Sequence, residues 1–173
     1  MNKKWLILYI IFVLYTLISM FFGRSVTIDF YALFMLEGDP LLVATFNMLG
    51  IFPIFYILYG SSFGKQKWYV YTLFALGFMM GAFAIMPALM LMNRDKKHVS
   101  SWKRTPLIFI PLILVLISML GILFGDLNAY GSLFLTDQFV HIMTIDFFVL
   151  LLLPYADGAN KFLYVHLIDW SLR

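Results

Sequence analysis

Residues Trp68 to Met92 read WYVYTLFALGFMMGAFAIMPALMLM, 25 positions without one Asp, Glu, Lys or Arg. A bilayer core about 30 Å thick is crossed by roughly 20 apolar residues in helical form. This run is long enough to span one. Four other stretches share its character: Trp5–Phe22, Leu41–Tyr59, Leu107–Phe124 and Phe139–Tyr155. The last is shorter and contains His141 and Asp146. In lipid every backbone amide needs an internal partner, which leaves helices or closed barrels. Barrel strands would alternate apolar and polar residues over ~10 positions. These runs are continuous, so the expected fold is all-α. It is a single helical bundle over residues 1–173 with about five transmembrane helices, followed by an interfacial tail at 156–173.

Composition agrees. The chain of 173 residues is 63% hydrophobic and 12% charged, with a mean hydropathy of +0.93. Soluble domains carry about 25% charged residues, so too little charge is present to dress a water-facing surface. Cysteine is absent, which removes disulfides, thiolate metal sites and thiol catalysis. The net charge of +3 is spread over loops, and no basic block points to nucleic acid. Lys3 and Lys4 precede an apolar run that ends in bulky residues rather than a small-residue cleavage site, which reads as a retained helix.

With five crossings, Lys3, Lys4, Lys65 and Lys67 fall on one side. Arg24, the basic loop Asn93–Thr105, Lys161 and Arg173 fall on the other. The positive-inside rule then favours an outside N-terminus, although the first helix with its lysine pair argues the reverse. Trp5, Trp68, Trp102 and Tyr155 sit near expected helix ends, where amphipathic rings prefer to lie.

Local features are few. Gly23–Pro40 mixes Arg24, Asp29, Glu37 and Asp39 with an apolar stretch, as an ordered loop or short interfacial helix would. Asp39 before Pro40 suits a helix cap followed by a first-turn proline. In the second span, Pro53 implies a kink, and Asn47 at hydrocarbon depth needs a partner on another helix. Gly77 and Gly81, one turn apart, would let two helices approach closely, within the chain or in a homodimer.

The stretch with most chemistry is Asp137–Val149. As a helix it places Asp137, His141 and Thr144 on one stripe, with Asp146 about 140° around from His141. Asp146 would lie near mid-bilayer, and an ionisable group there is paired, protonated or functional. Asn47, His141 and Thr144 are its expected partners, while His141 would be within reach of Asp126 and Asp137. Asp146 and His141 are thus the candidate acid–base groups, with Asn47 and Thr144 as candidate binding residues. His98, His141 and His166 show no ligand spacing, so neither a metal nor a cofactor is implied.

Phe139-Val140-His141 with Thr144-Ile145-Asp146-Phe147-Phe148, taken with Phe46–Gly50 and Gly81–Pro87, resembles an uncharacterised multi-pass membrane family of cyanobacteria and plastids. That likeness covers most of the chain and implies a multi-pass bundle without a defined activity. About ten residues, Val140-His141 through Asp146-Phe147-Phe148-Val149, are similar to a segment of the membrane family associated with neoxanthin synthesis, which implies carotenoid chemistry. In that family another spanning helix follows the motif, whereas a short tail follows here.

Three functional classes emerge. The first is a non-enzymatic protein of the membrane, expected to be a bacterial cell membrane, that packs with membrane lipids and with another membrane protein or itself. The second is a small lipid- or isoprenoid-modifying enzyme using Asp146 and His141. The third is a proton or solute carrier.

Overall fold

The computed structural model describes residues 3–22, 24–63, 65–93 and 101–156. Among these it is all-helical: α1 (Lys3–Met20), α2 (Phe30–Phe34), α3 (Pro40–Ser62), α4 (Trp68–Met80), α5 (Ala82–Leu91), α6 (Ser101–Phe124), α7 (Leu127–Thr136) and α8 (Gln138–Ala156). By length and composition one of them, over Pro40–Ser61, suffices alone to cross a membrane. Trp5–Met20, Trp68–Met80, Ala82–Leu91 and Gln138–Leu153 are shorter apolar helices, and α6 is followed by α7 at a bend of 102°.

Helix α3 is the spine. Asp39 caps it, its Oδ1 accepting from the Leu41 and Leu42 N–H groups at 2.9 and 3.3 Å, and Pro40 opens the first turn. The helix continues through the buried Pro53 to Ser62. Antiparallel α6 packs closely on it because Gly121 and Gly125 carry no side chain. A methyl at Gly121 would sit 2.7 Å from Ala44 Cβ, and one at Gly125 would sit 2.6 Å from Leu41 Cβ. Small residues four apart permit this kind of approach. On another face, α8 runs parallel to α3, and the Tyr56 hydroxyl donates to the Leu150 carbonyl at 2.8 Å. The core includes Phe52, Tyr56, Phe74, Ile85, Leu89 and Leu150.

The opening stretch departs from its expected form. Trp68–Met92 is not one helix but two, which fold back on each other at Gly81. Gln66, just before α4, donates from Nε2 to the Asn93 carbonyl at 2.9 Å and accepts from the Asn93 N–H at 2.8 Å, just beyond α5. A straight helix would hold those residues roughly 40 Å apart. Gly81 makes the reversal, with φ +53° and ψ −130°, a combination essentially reserved for glycine.

Two further expectations change, and one is located. Residues 127–136, between the expected fourth and fifth spans, form α7, started by Asp126, whose Oδ1 accepts from Asn128 and Ala129 N–H. Within Gly23–Pro40 a short helix, α2, is present, capped by Asp29. Trp5, expected as an exposed ring at a helix end, packs into the core at 3% exposure, whereas Trp68 is exposed. The side chains of Trp102 and Tyr155, most of the basic loop with His98, and the tail with His166 lie outside the described residues.

Candidate functional site

The turn at Gly81 leaves the first N–H groups of α5 without intrahelical acceptors. Asp146, arriving from the middle of α8, supplies one: its Oδ1 accepts from the Ala82 N–H at 2.7 Å. The carboxylate is 6% exposed and lies against the Gly81 Cα, so that a Cβ there would overlap it. One residue therefore caps a helix in another part of the chain. The bond satisfies a donor that the start of a helix otherwise leaves orphaned. Neither Asn47, His141 nor Thr144, the partners expected for Asp146, forms a hydrogen bond with it. Asp146 points from α8 toward α5, and they face elsewhere.

His141 is buried beside the upper part of α1. Its Nδ1 lies 3.0 Å from the Phe134 carbonyl and its Nε2 lies 2.7 Å from the Tyr15 hydroxyl. A carbonyl only accepts, so Nδ1 carries the proton; in the neutral ring Nε2 then accepts from Tyr15. Phe134 and Tyr15 also flank the ring, at 4.5 and 5.9 Å between centroids. The side chains of Asp126 and Asp137 are engaged with backbone and hydroxyl groups, not with this imidazole.

Thr144 donates to its own Val140 carbonyl at 2.7 Å, which leaves its oxygen to accept from the Tyr130 hydroxyl, also at 2.7 Å. Asp137, fully buried, caps α8 through the Val140 N–H at 3.0 Å. It also holds the loop before α2, accepting from the Thr27 N–H at 2.6 Å and the Thr27 hydroxyl at 2.8 Å. Burial pushes the Asp137 carboxyl up. Hydrogen bonds from the N–H groups of Thr27, Val140 and Phe139 and from the Thr27 hydroxyl outweigh it and hold the group below the ordinary carboxylate value. The Gln138 N–H adds a bond to the Ser25 carbonyl at 2.9 Å. The Gln138 amide donates to Ser19 at 3.0 Å, while its Oε1 and the Arg24 Nη1 are buried without a partner.

Asn47 does not cross to another helix. Its Nδ2 donates to the Val43 carbonyl one turn back, at 2.8 Å, which is enough to satisfy a donor inside an apolar helix. It lines a groove of about 650 Å³ between α3 and α6 that none of Asp146, His141 or Thr144 reaches. Gly77 allows close packing inside the chain: a Cβ there would meet Ile85 of α5 at 2.7 Å and Pro53 of α3 at 3.3 Å. Gly81 is the turn itself. Both glycines are buried, so neither presents a face to a second copy.

The stripe of Asp137, His141 and Thr144 thus dissolves into three separate clasps, to Thr27, Tyr15 and Tyr130. Sequence reasoning missed all three partners, because an ordinary Tyr or Thr in an apolar helix or loop carries no signal. No group of three or more His, Cys, Asp or Glu suited to a metal occurs among the described residues. No known protein family, no curated protein and no solved structure matches this chain.

Proposed function

We propose that this is a multi-pass integral membrane protein in which α1, α3, α6 and α8 cross the bilayer and α4–α5 enters and returns, and that it acts without catalysis as a packing or assembly partner. Support for the membrane comes from the surface. Ile7, Ile11, Leu14 and Ile18 form a row along α1, each more than half exposed, and Leu112, Leu116, Met119 and Leu123 do the same on α6. Contiguous rows of this kind are foreign to a water-facing monomer. At 1.5 Å per residue α4 is about 20 Å long and α5 about 15 Å. The Gly81 turn and Asp146 would then lie near mid-membrane.

A returning hairpin also changes the orientation. With five crossings the positive charges were divided between the two sides. With four, Lys3, Lys4, Lys65, Lys67, Lys103 and Arg104 belong to the end where α1 begins and α8 finishes, and the connection from α5 to α6, with Arg94, Lys96 and Lys97 in its sequence, starts and finishes there; Arg24 belongs to the other end. The acidic residues Asp29, Glu37, Asp39, Asp126 and Asp137 belong to the other end. The positive-inside rule then puts the basic end in the cytoplasm, reversing the outside N-terminus expected from the sequence. Single cysteines in this cysteine-free chain test it. Cysteines replacing Lys65 and Lys97 are expected to react from the cytoplasmic side, and one replacing Ser132 from the opposite side. Labelling of positions 65 and 97 from opposite sides would overturn the hairpin reading.

The observation that carries the non-catalytic role is the engagement of Asp146 with the Ala82 N–H. The group best placed for chemistry already completes a helix end of its own chain. The enzyme reading loses support because Asp146 and His141 serve different neighbours, and both are buried. A carrier reading keeps one specific observation, the helix N-terminus at the Gly81 turn; transporters use half-helix N-termini to hold substrate charge, and here Asp146 occupies that place. Asp146→Asn retains a carbonyl oxygen for Ala82 but cannot exchange a proton at neutral pH. Normal accumulation and an unchanged cellular phenotype are expected. Loss of phenotype at normal accumulation would favour the carrier.

A further inference from the structure

We propose that the groove between α3 and α6 binds a neutral lipid whose apolar chain carries one hydroxyl or carbonyl group. This rests on the membrane reading above and adds a ligand class to it. The groove holds about 650 Å³, within the roughly 300–1,000 Å³ of small-molecule sites. Ala44 and Gly121, packed against each other, belong to its lining, and the side chains around them include Val43, Ile51, Ile117 and Phe124. Leu120, also in the lining, is 45% exposed and continues into the open row of α6 at Leu116 and Leu123. A chain could move sideways from the bilayer into the groove without crossing water.

Asn47 supplies the polar specificity. Its amide nitrogen faces the Val43 carbonyl, and a carbonyl accepts only, so this orientation of the amide is fixed. Oδ1 and the second N–H remain for a ligand; the Val43 bond is the only one the amide makes among the described residues. Asn47 lies seven residues into α3, about 10 Å below its start. That depth suits a hydroxyl or carbonyl on the chain rather than a headgroup. Charge at the mouth excludes an anionic lipid. Glu37 sits between the rim residues Leu36 and Gly38, Asp39 and Asp126 are adjacent, and among the described residues no Lys or Arg lines the groove.

Leu36 gives an independent indication. The end of α2 closes with the Glu37 N–H on the Ala32 carbonyl at 2.8 Å and the Leu36 N–H on Leu33 at 3.2 Å. This arrangement normally places glycine in the left-handed position. Leucine occupies it instead, at φ +63°, with its side chain 65% exposed on the groove rim. A disfavoured backbone kept for a side chain that packs little in the free protein points to a role at the mouth.

The test uses the full chain in neutral phospholipid nanodiscs with a diazirine-bearing hexadecanol, the crosslinks being mapped by mass spectrometry. Labelling is expected to concentrate on residues 36–51 and 117–124 and to be competed by hexadecanol but not by palmitate. Asn47→Leu should weaken capture by roughly two- to tenfold, the worth of one hydrogen bond. Leu36→Gly should reduce capture while the protein melts no lower than wild type, which keeps the proposal testable if the Asn47 variant does not fold. Labelling spread equally over the α1 row, unchanged capture in both variants, or equal competition by palmitate would each overturn it. If the protein partitions into buffer without detergent, the membrane reading itself has failed, an outcome separate from a membrane protein whose groove stays empty.

Discussion

Replacing Asp146 by leucine removes the acceptor for the Ala82 N–H while filling a similar space. The orphaned donor lies in a site 6% exposed in the parent, out of reach of water. Leaving a buried donor unsatisfied costs about 1–3 kcal/mol. A chain of this size shifts its melting point by roughly 2–4 °C per kcal/mol. Asp146→Leu should therefore melt about 2–12 °C lower in detergent when followed by circular dichroism, and it should accumulate poorly in cells. Asp146→Asn keeps a carbonyl oxygen in place and should lose less than about 1 kcal/mol. The order of the two variants matters more than either value. A leucine variant as stable as wild type, or an asparagine variant as damaged as the leucine one, would refute the capping role.

Other perturbations probe neighbouring joints. Gly81→Ala places a methyl on the Asp146 carboxylate at φ +53°; a loss of about 1–3 kcal/mol from the backbone alone is expected in the same melting assay. Gly121→Leu should push α6 off Ala44 and cost about 1–3 kcal/mol or more, whereas Gly131→Ala, which meets nothing within 4 Å, should change little. Gly77→Leu should destabilise the monomer by striking Ile85 and Pro53, and crosslinking should show no dimer weakened independently of that unfolding. Asp137 sets an acid limit. Its folded pKa is lowered, so between that value and the unfolded value of about 3.9 the unfolded chain binds the extra proton and stability rises with pH. Its contribution is complete above the unfolded value and lost as pH falls through the folded one. Stability profiles of wild type and Asp137→Asn should diverge least at the acid end and run parallel from about pH 5 to 8; equal stability throughout would deny the Thr27 clasp.

The capping residue Asp39 and its following proline were legible in the sequence because capping is local chemistry within three residues. So was the all-helical character, since uncharged runs as long as Trp68–Met92 suit little else in a nonpolar solvent. The fold-back at Gly81 was not legible. A glycine in an apolar run reads equally as a packing surface and as a turn, and what distinguishes them is the sign of φ, stabilised here by a carboxylate 65 residues away in sequence. Another close-packed glycine pair, Gly121 and Gly125, carries the same spacing as Gly77 and Gly81, and only the presence of Ala44 and Leu41 opposite marks it. Amphipathic α7 went unread because its apolar content is modest and its start signal, Asp126, looks like any loop acid. The polar residues of the Asp137–Val149 stretch were identified by type alone. Periodicity states which side of a helix a residue occupies but not which element lies opposite. Burial, capping and the pairing of His141 with Tyr15 arise from contacts distant in sequence, and those were decided only when the chain folded.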